Sequence, residues 1–239
     1  MINLKEKEEL LFLKSQVCFA NKNLVKYGLV LFTWGNASAI TNDRKLVVIK
    51  PSGVLYNKLK PSDMVVIDLN GKVVEGKLKP SSDTFTHLEL YKNFDKINSV
   101  VHTHSKYATS FAQAKKPINI FGTTQADYFN GTIPVTHEMT QTEIGSSYEL
   151  NIGKGIVETF KMKRLNPLDV PACLVASHGV FVWGTSCENA VHNAVVLEEI
   201  AFMTIYSLLL NPELKEISKC LKEKHFFRKH GKNAYYGQK

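Results

Sequence analysis

Long apolar runs are missing from this sequence. No stretch approaches the roughly 20 residues that a membrane-spanning helix needs, because Glu198 and Glu199 interrupt the greasiest segment. The first thirteen residues mix charges with apolar positions and lack the unbroken core of a secretory leader. A cytoplasmic protein without membrane attachment is the expectation. Cysteine is scarce too: Cys18, Cys173, Cys187 and Cys220 are scattered, with no C-x-x-C pair. That argues against a disulfide framework and against a thiolate zinc site. No G-x-G-x-x-G follows a candidate strand, which disfavours a dinucleotide cofactor. Internal repeats and low-complexity linkers are absent as well, so residues 1–239 read as one domain.

Charge is present in excess but unevenly placed. The net charge is +8, and residues 213–239 hold eight Lys/Arg against three Asp/Glu, so this tail carries +5 and the rest +3. A basic tail can serve nucleic acid, but clustered basic and aromatic residues are missing elsewhere, and no nucleic-acid partner is expected. A solvated helix face, or charge that draws an anionic substrate towards a pocket, fits better.

Hydrophobic spacing predicts a helix over residues 4–27, with Leu10, Leu13, Val17, Ala20 and Leu24 on one face and Gly28 closing it. Short Val/Ile-rich segments predict strands at 29–34, 45–50 and 64–69, the last turning through Asn70-Gly71 into a further strand. A helix is expected at 84–94, a strand at 99–104, a helix at 107–114, a strand at 132–136 and mostly helix over 140–162. Residues 172–176 and 179–184 read as a strand pair broken at Ser177-His178. The longest helix is expected to start at Thr185, with Thr185 and Glu188 as a capping box, and to reach Leu210. A basic helix follows Pro212. Strands mixed with covering helices, without strict β-α alternation, predict one α/β sandwich.

Chemistry concentrates at Val100-Val101-His102-Thr103-His104-Ser105. On a strand, residues i and i+2 share a face, so both imidazoles project together and suit one metal ion. Apolar neighbours mark the strand as interior. A third imidazole, His178, sits between two apolar strands where an unpaired one would be costly. Ser81-Ser82-Asp83 offers a carboxylate at a helix start, although the same residues also suit an N-cap. Three His with Asp83 suit Zn2+ or a similar divalent ion. A second set of corners, Gly35-Asn36, Lys50-Pro51-Ser52-Gly53 and Lys79-Pro80-Ser81-Ser82, would make a phosphate pocket if they converged.

The strings TWGNASA, IKPSG, KPSSDT-x-TH, VVHTHS, GTT-x-ADYF-x-GTIP, SHG-x-F-x-WG, AVHNA-x-VLEE and KH-x-x-RKHG-x-x-AYYGQ run through nearly the whole chain. Together they resemble the class II aldolase/epimerase family, and its epimerases more than its aldolases. The resemblance implies an α/β/α sandwich with a central, largely antiparallel sheet, assembled as a four-fold homotetramer with sites between subunits. It implies that His102, His104 and His178 bind zinc, with Asp83 on or beside the metal. Gly35, Asn36, Ser52, Gly53, Ser81 and Ser82, with Lys50 nearby, match substrate and phosphate positions. Asp127 matches a catalytic acid/base and Tyr236 its counterpart from a neighbouring subunit, while Thr123, Glu149 and His225 are similar to supporting residues. The tail would then complete a neighbour's site, with Arg228, Lys229 and Lys232 bringing positive charge to it. Ala176 and Gln125 stand where relatives often carry His.

The implied reaction inverts carbon 4 of a phosphorylated ketopentose by retro-aldol cleavage and re-addition through an enediolate. Aldolases of the family tend to carry Glu at the position of Asp83, and they release the aldehyde. An adducin-like, non-catalytic relative would lack the metal histidines, and all three are present here.

Overall fold

The structure is a computed structural model that describes residues 4–231 and 234–237. Seven strands form one antiparallel sheet: β1 (Gly35–Ile40), β2 (Leu46–Ile49), β3 (Val65–Asp68), β4 (Val73–Glu75), β5 (Ser99–Thr103), β6 (Ala172–Leu174) and β7 (Val180–Gly184), in the order β4-β3-β2-β1-β5-β7-β6. Eight helices accompany it among the described residues: α1 (Leu4–Lys26), α2 (Thr84–Asn93), α3 (Lys106–Ala114), α4 (Thr123–Ala126), α5 (Gln141–Ile144), α6 (Tyr148–Lys163), α7 (Cys187–Leu210) and α8 (Lys219–His230). The expected α/β sandwich with an antiparallel sheet is what the chain forms.

Register explains the two faces. Val101 pairs with Ala37 and Val182, and this small, apolar row belongs to the face covered by α1 and α7. Asn21 fastens α1 there, its amide donating to the Ala37 carbonyl and accepting the Ala37 N–H. His102 pairs with Asn36 and Phe181, and Val100 with Ser38 and Trp183, on the opposite face. There Phe94 and Phe160, from the ends of α2 and α6, pack on Trp183 with ring centroids 5.2 Å away. Such aromatic pairs add about 0.5–1.5 kcal/mol each beyond area burial. By length and composition α7 could cross a membrane, but it packs on β5 and β7 as a core helix. Its Glu198 accepts the N–H groups of Tyr107 and Ala108 at the start of α3.

Three expectations fail, each for a local reason. Residues 29–34 are not a strand: Leu29 and Val30 are buried, but Phe32 takes a left-handed φ of 50° and Trp34 N–H closes a turn onto the Leu31 carbonyl. The strand begins only at Gly35, whose φ is 139° and where a Cβ would lie 2.6 Å from the His102 carbonyl oxygen. Residues 132–136 make only isolated bridges, Ile133 with Ile118 and Val135 with Leu174, since Pro134 has no N–H to extend a ladder. The cap of α7 is Ser186, which accepts from Asn189 N–H, so the Thr185–Glu188 box does not form.

Candidate functional site

β5 and the β6–β7 hairpin bring three imidazoles together. His102 is buried near the end of β5, His104 follows one residue past it, and His178 sits in the hairpin turn. That turn is tight: Ser177 has a φ of 60°, and a Cβ on Gly179 would lie 2.8 Å from the Thr103 carbonyl oxygen and 3.2 Å from both His102 and His104. The potential ligand atoms of the three residues all lie within 4.8 Å of one another. His102 Nδ1–H donates to the Val180 carbonyl at 2.9 Å, so its Nε2 presents a lone pair, 3.1 Å from His104 Nε2. Burial, then the field of His102, pushes His178 down to about 4 and lowers His104 as well. Three imidazoles with converging nitrogens fit a divalent ion, and the backbone bond to His102 is the orientation such ligands use.

Asp83 stands at the start of α2 but does not cap it. Its Oδ2 instead accepts from Asn36 Nδ2 at 2.6 Å. Burial would raise its pKa, but the fields of His102 and His87 and the Asn36 bond outweigh that and hold it below the usual carboxylate range. Gly35, Ser82, Asp83, Glu149 and the histidines line one cavity of about 880 Å³. Trp34, Lys106, Thr109 and Tyr148 line it too; sequence spacing alone did not mark them.

The two K-P-S strings meet. Pro51 and Pro80 form a bridge, Ser52 N–H donates to the Lys79 carbonyl and Ser81 N–H to the Lys50 carbonyl. Gly53 and Ser82 follow on each side. Lys50 is 2% exposed, its ammonium 3.1 Å from the Pro51 carbonyl and 5.0 Å from the Tyr56 ring centroid. Burial lowers its pKa to about 8. Tyr56 in turn donates to the Gly35 carbonyl at 2.7 Å, which joins this corner to the start of β1.

Asp127, His225 and Tyr236 gather elsewhere. Asp127 ends the turn opened by Thr123 and accepts from Arg228 Nε and Nη2 at 3.1 and 2.9 Å, with His225 Nδ1 at 3.0 Å and Lys229 Nζ at 3.4 Å. Burial opposes ionisation, but Arg228 and then His225 hold its carboxyl below the usual range. The Tyr236 ring lies under Arg228 and Lys229, at 5.0 and 4.5 Å. None of these three residues lines the histidine cavity. Within the one chain Asp127 and Tyr236 lie near each other, joined through Arg228 and Lys229 of α8. Arg228 and Lys229 direct their charge at Asp127, while Lys232 lies outside the described residues. Gln125 is fully engaged in the α4 turn, accepting from Phe121 and Gly122 N–H and donating to Thr204.

Solved structures share this architecture. An L-fuculose 1-phosphate aldolase is 27% identical, with a TM-score of 0.74 over 89% of this chain and 95% of that one. YgbL from Klebsiella pneumoniae, described as a putative aldolase/epimerase/decarboxylase, is 23% identical, with a TM-score of 0.71 over 90% and 98%. An L-fuculose-1-phosphate aldolase from Thermus thermophilus is 22% identical, with a TM-score of 0.65 over 86% and 98%. The last two show the fold alone. The family described as Class II Aldolase and Adducin N-terminal domain matches residues 15–205. The match spans most of the chain and settles the membership: this chain belongs to the class II aldolase and adducin N-terminal domain family.

Proposed function

We propose that the chain is a divalent-metal-dependent L-ribulose-5-phosphate 4-epimerase, interconverting L-ribulose 5-phosphate and D-xylulose 5-phosphate, and that it works as a homotetramer. One observation carries this reading: His102, His104 and His178 converge beside Asp83 in a cavity that adjoins the paired K-P-S corners. Carbon 4 is not adjacent to the ketone, so its hydrogen is not acidic. Inversion there proceeds by breaking the C3–C4 bond. The O4 proton leaves, the bonding pair moves into the ketone end, and the aldehyde fragment turns before the bond re-forms on its other face.

His102, His104 and His178, with Asp83 on or beside the ion, would hold the metal, zinc in this reading. When bound, it supplies several kcal/mol of stabilisation to charge developing at the ketone end. Asn36 keeps Asp83 in place. Ser52, Gly53, Ser81 and Ser82, with Lys50 behind them, take the phosphate and so retain the aldehyde fragment while it turns. Two proton-handling groups are needed, one per face. Asp127, kept ionised by Arg228 and backed by His225, serves one face, and Tyr236 the other. Since neither lines the cavity of its own chain, we assign both to a neighbouring copy's cavity. Thr123 sets the Asp127 turn, and Glu149 faces the substrate from the cavity wall.

Likeness to an L-fuculose 1-phosphate aldolase favours a second reading, an aldolase that releases its aldehyde. Incubation with L-ribulose 5-phosphate separates the two. D-xylulose 5-phosphate should form, with activity lost on metal stripping and restored by a divalent ion. Free glycolaldehyde phosphate as the main product would establish the aldolase instead. Full turnover by thoroughly stripped protein would remove the metal from the mechanism.

Lys50 adds a pH signature. Its ammonium is charged below about 8 and loses its charge as pH rises through that value. KM for the phosphorylated substrate should therefore climb on the alkaline side while kcat changes less. In Lys50→Met, KM should be high at neutral pH and flat across the same range. An unchanged KM profile in that variant would take Lys50 out of phosphate binding.

A further inference from the structure

Behind the cavity, on the α2 face of the sheet, three polar side chains run through apolar core. His87 has no exposed surface, and burial pushes its imidazole down to about 3. Its Nδ1 lies 2.7 Å from Ser38 Oγ, which lies 2.8 Å from the Tyr91 hydroxyl. Run from Tyr91 to Ser38 to His87 Nδ1, this chain gives each hydroxyl hydrogen an acceptor; run the other way, the Tyr91 hydrogen has none among the described residues. That leaves the imidazole proton on Nε2. This nitrogen is buried and has no hydrogen-bond partner among the described residues, a costly arrangement for a core that needed only volume at this place.

His87 is tied to the histidine centre in three ways. It sits one helical turn from Asp83, its backbone N–H donating to the Asp83 carbonyl at 3.2 Å. The field of Asp83 acts on its ring in favour of the charged form. Its ring meets Phe181 edge-on at 5.8 Å, and Phe181 stacks on His102 at 4.3 Å.

We propose that His87 is a positioning residue of this centre, its Nε2–H being the donor reserved for the Asp83 carboxylate that Asn36 already holds through Oδ2. The inference rests on the metal-dependent reading above. His87 touches no substrate and acts through Asp83, fixing the orientation of a carboxylate at the metal. The Ser38–Tyr91 pair serves to keep the proton on the useful nitrogen.

Zinc affinity of the metal-stripped full chain, measured by competition with a chromogenic chelator, reads this role without turnover. His87→Asn keeps an amide near Ser38 and removes the donor from the Nε2 position. His87→Gln places an N–H close to it. Tyr91→Phe deletes one hydroxyl and releases the tautomer. Zinc should bind about 10- to 100-fold more weakly to His87→Asn, as for other partners of metal-bound groups. His87→Gln should recover most of the loss, and Tyr91→Phe should fall between. Cooperative thermal unfolding of each stripped variant identifies any that fails to fold, and Tyr91→Phe decides the matter should His87→Asn be one of them. Wild-type affinity in a folded His87→Asn or in Tyr91→Phe would overturn the inference, as would a loss that Gln does not restore. A wild-type chain that binds no zinc would instead overturn the metal reading itself.

Discussion

His104→Ala is expected to lose its metal and nearly all turnover while keeping its fold. Each imidazole contributes one of three nitrogens that converge within 4.8 Å, and two leave a weak, open site. If metal stabilisation is worth several kcal/mol, its loss lowers the rate by roughly 10³-fold or more. The fold should survive because His104 is exposed and lies past the last residue of β5. His102 would be a poorer choice: it is 2% exposed, bonded to the Val180 carbonyl and stacked on Phe181. Its truncation would mix metal loss with a core cavity. Elemental analysis, turnover and thermal unfolding of stripped wild type and variant together check the expectation. A His104→Ala protein that retains both metal and turnover would show that the ligand set is another one.

Mixing inactive His104→Ala with inactive Tyr236→Phe, after dissociation and reassembly, is expected to restore activity. Asp127 and Tyr236 lie together, held by Arg228 and Lys229 of the same α8, and away from their own chain's histidine cavity. If that cluster serves a neighbour, some interfaces in a mixed ring pair intact histidines with an intact tail. Random assembly from equal amounts makes these about one quarter of the sites, and activity should approach that fraction of wild type. A control mixture of Asp127→Asn with Tyr236→Phe should stay inactive, because both lesions lie in the same contributed cluster. Recovery in the control would place the two residues on opposite sides of the interface. No recovery in the first mixture, with mixing proven by mass, would confine the site to one chain.

Local pattern made much of this legible in advance. The heptad-like spacing of Leu10, Val17 and Leu24 did mark the buried face of α1, and Asn70-Gly71 did turn β3 into β4. H-x-H on a Val-rich segment placed two imidazoles at the end of β5. Patterning failed at residues 29–34, where an apolar run looked like a strand. Its exposed Leu31, Phe32 and Trp34 belong to a turn at the cavity mouth, and hydrophobicity alone does not report a left-handed φ.

What the sequence determined by itself was the inventory and its periodicity: which residues have side chains suited to a metal ion or a phosphate, and which segments have strand or helix period. Tertiary structure alone decided who meets whom. Gly179 lets the hairpin pass close enough for His178, 74 residues beyond His104 in the chain, to join it. The Pro51–Pro80 bridge sets two distant K-P-S strings side by side, and burial, which no spacing reveals, is what lowers Lys50 and His87. Asp127 is an ion-paired carboxylate only because α8 folds back and places Arg228 against it. Such pairings join residues far apart in the chain, and their strength depends on desolvation and on distances of a few ångström, so they exist only once the sheet and its covering helices have closed.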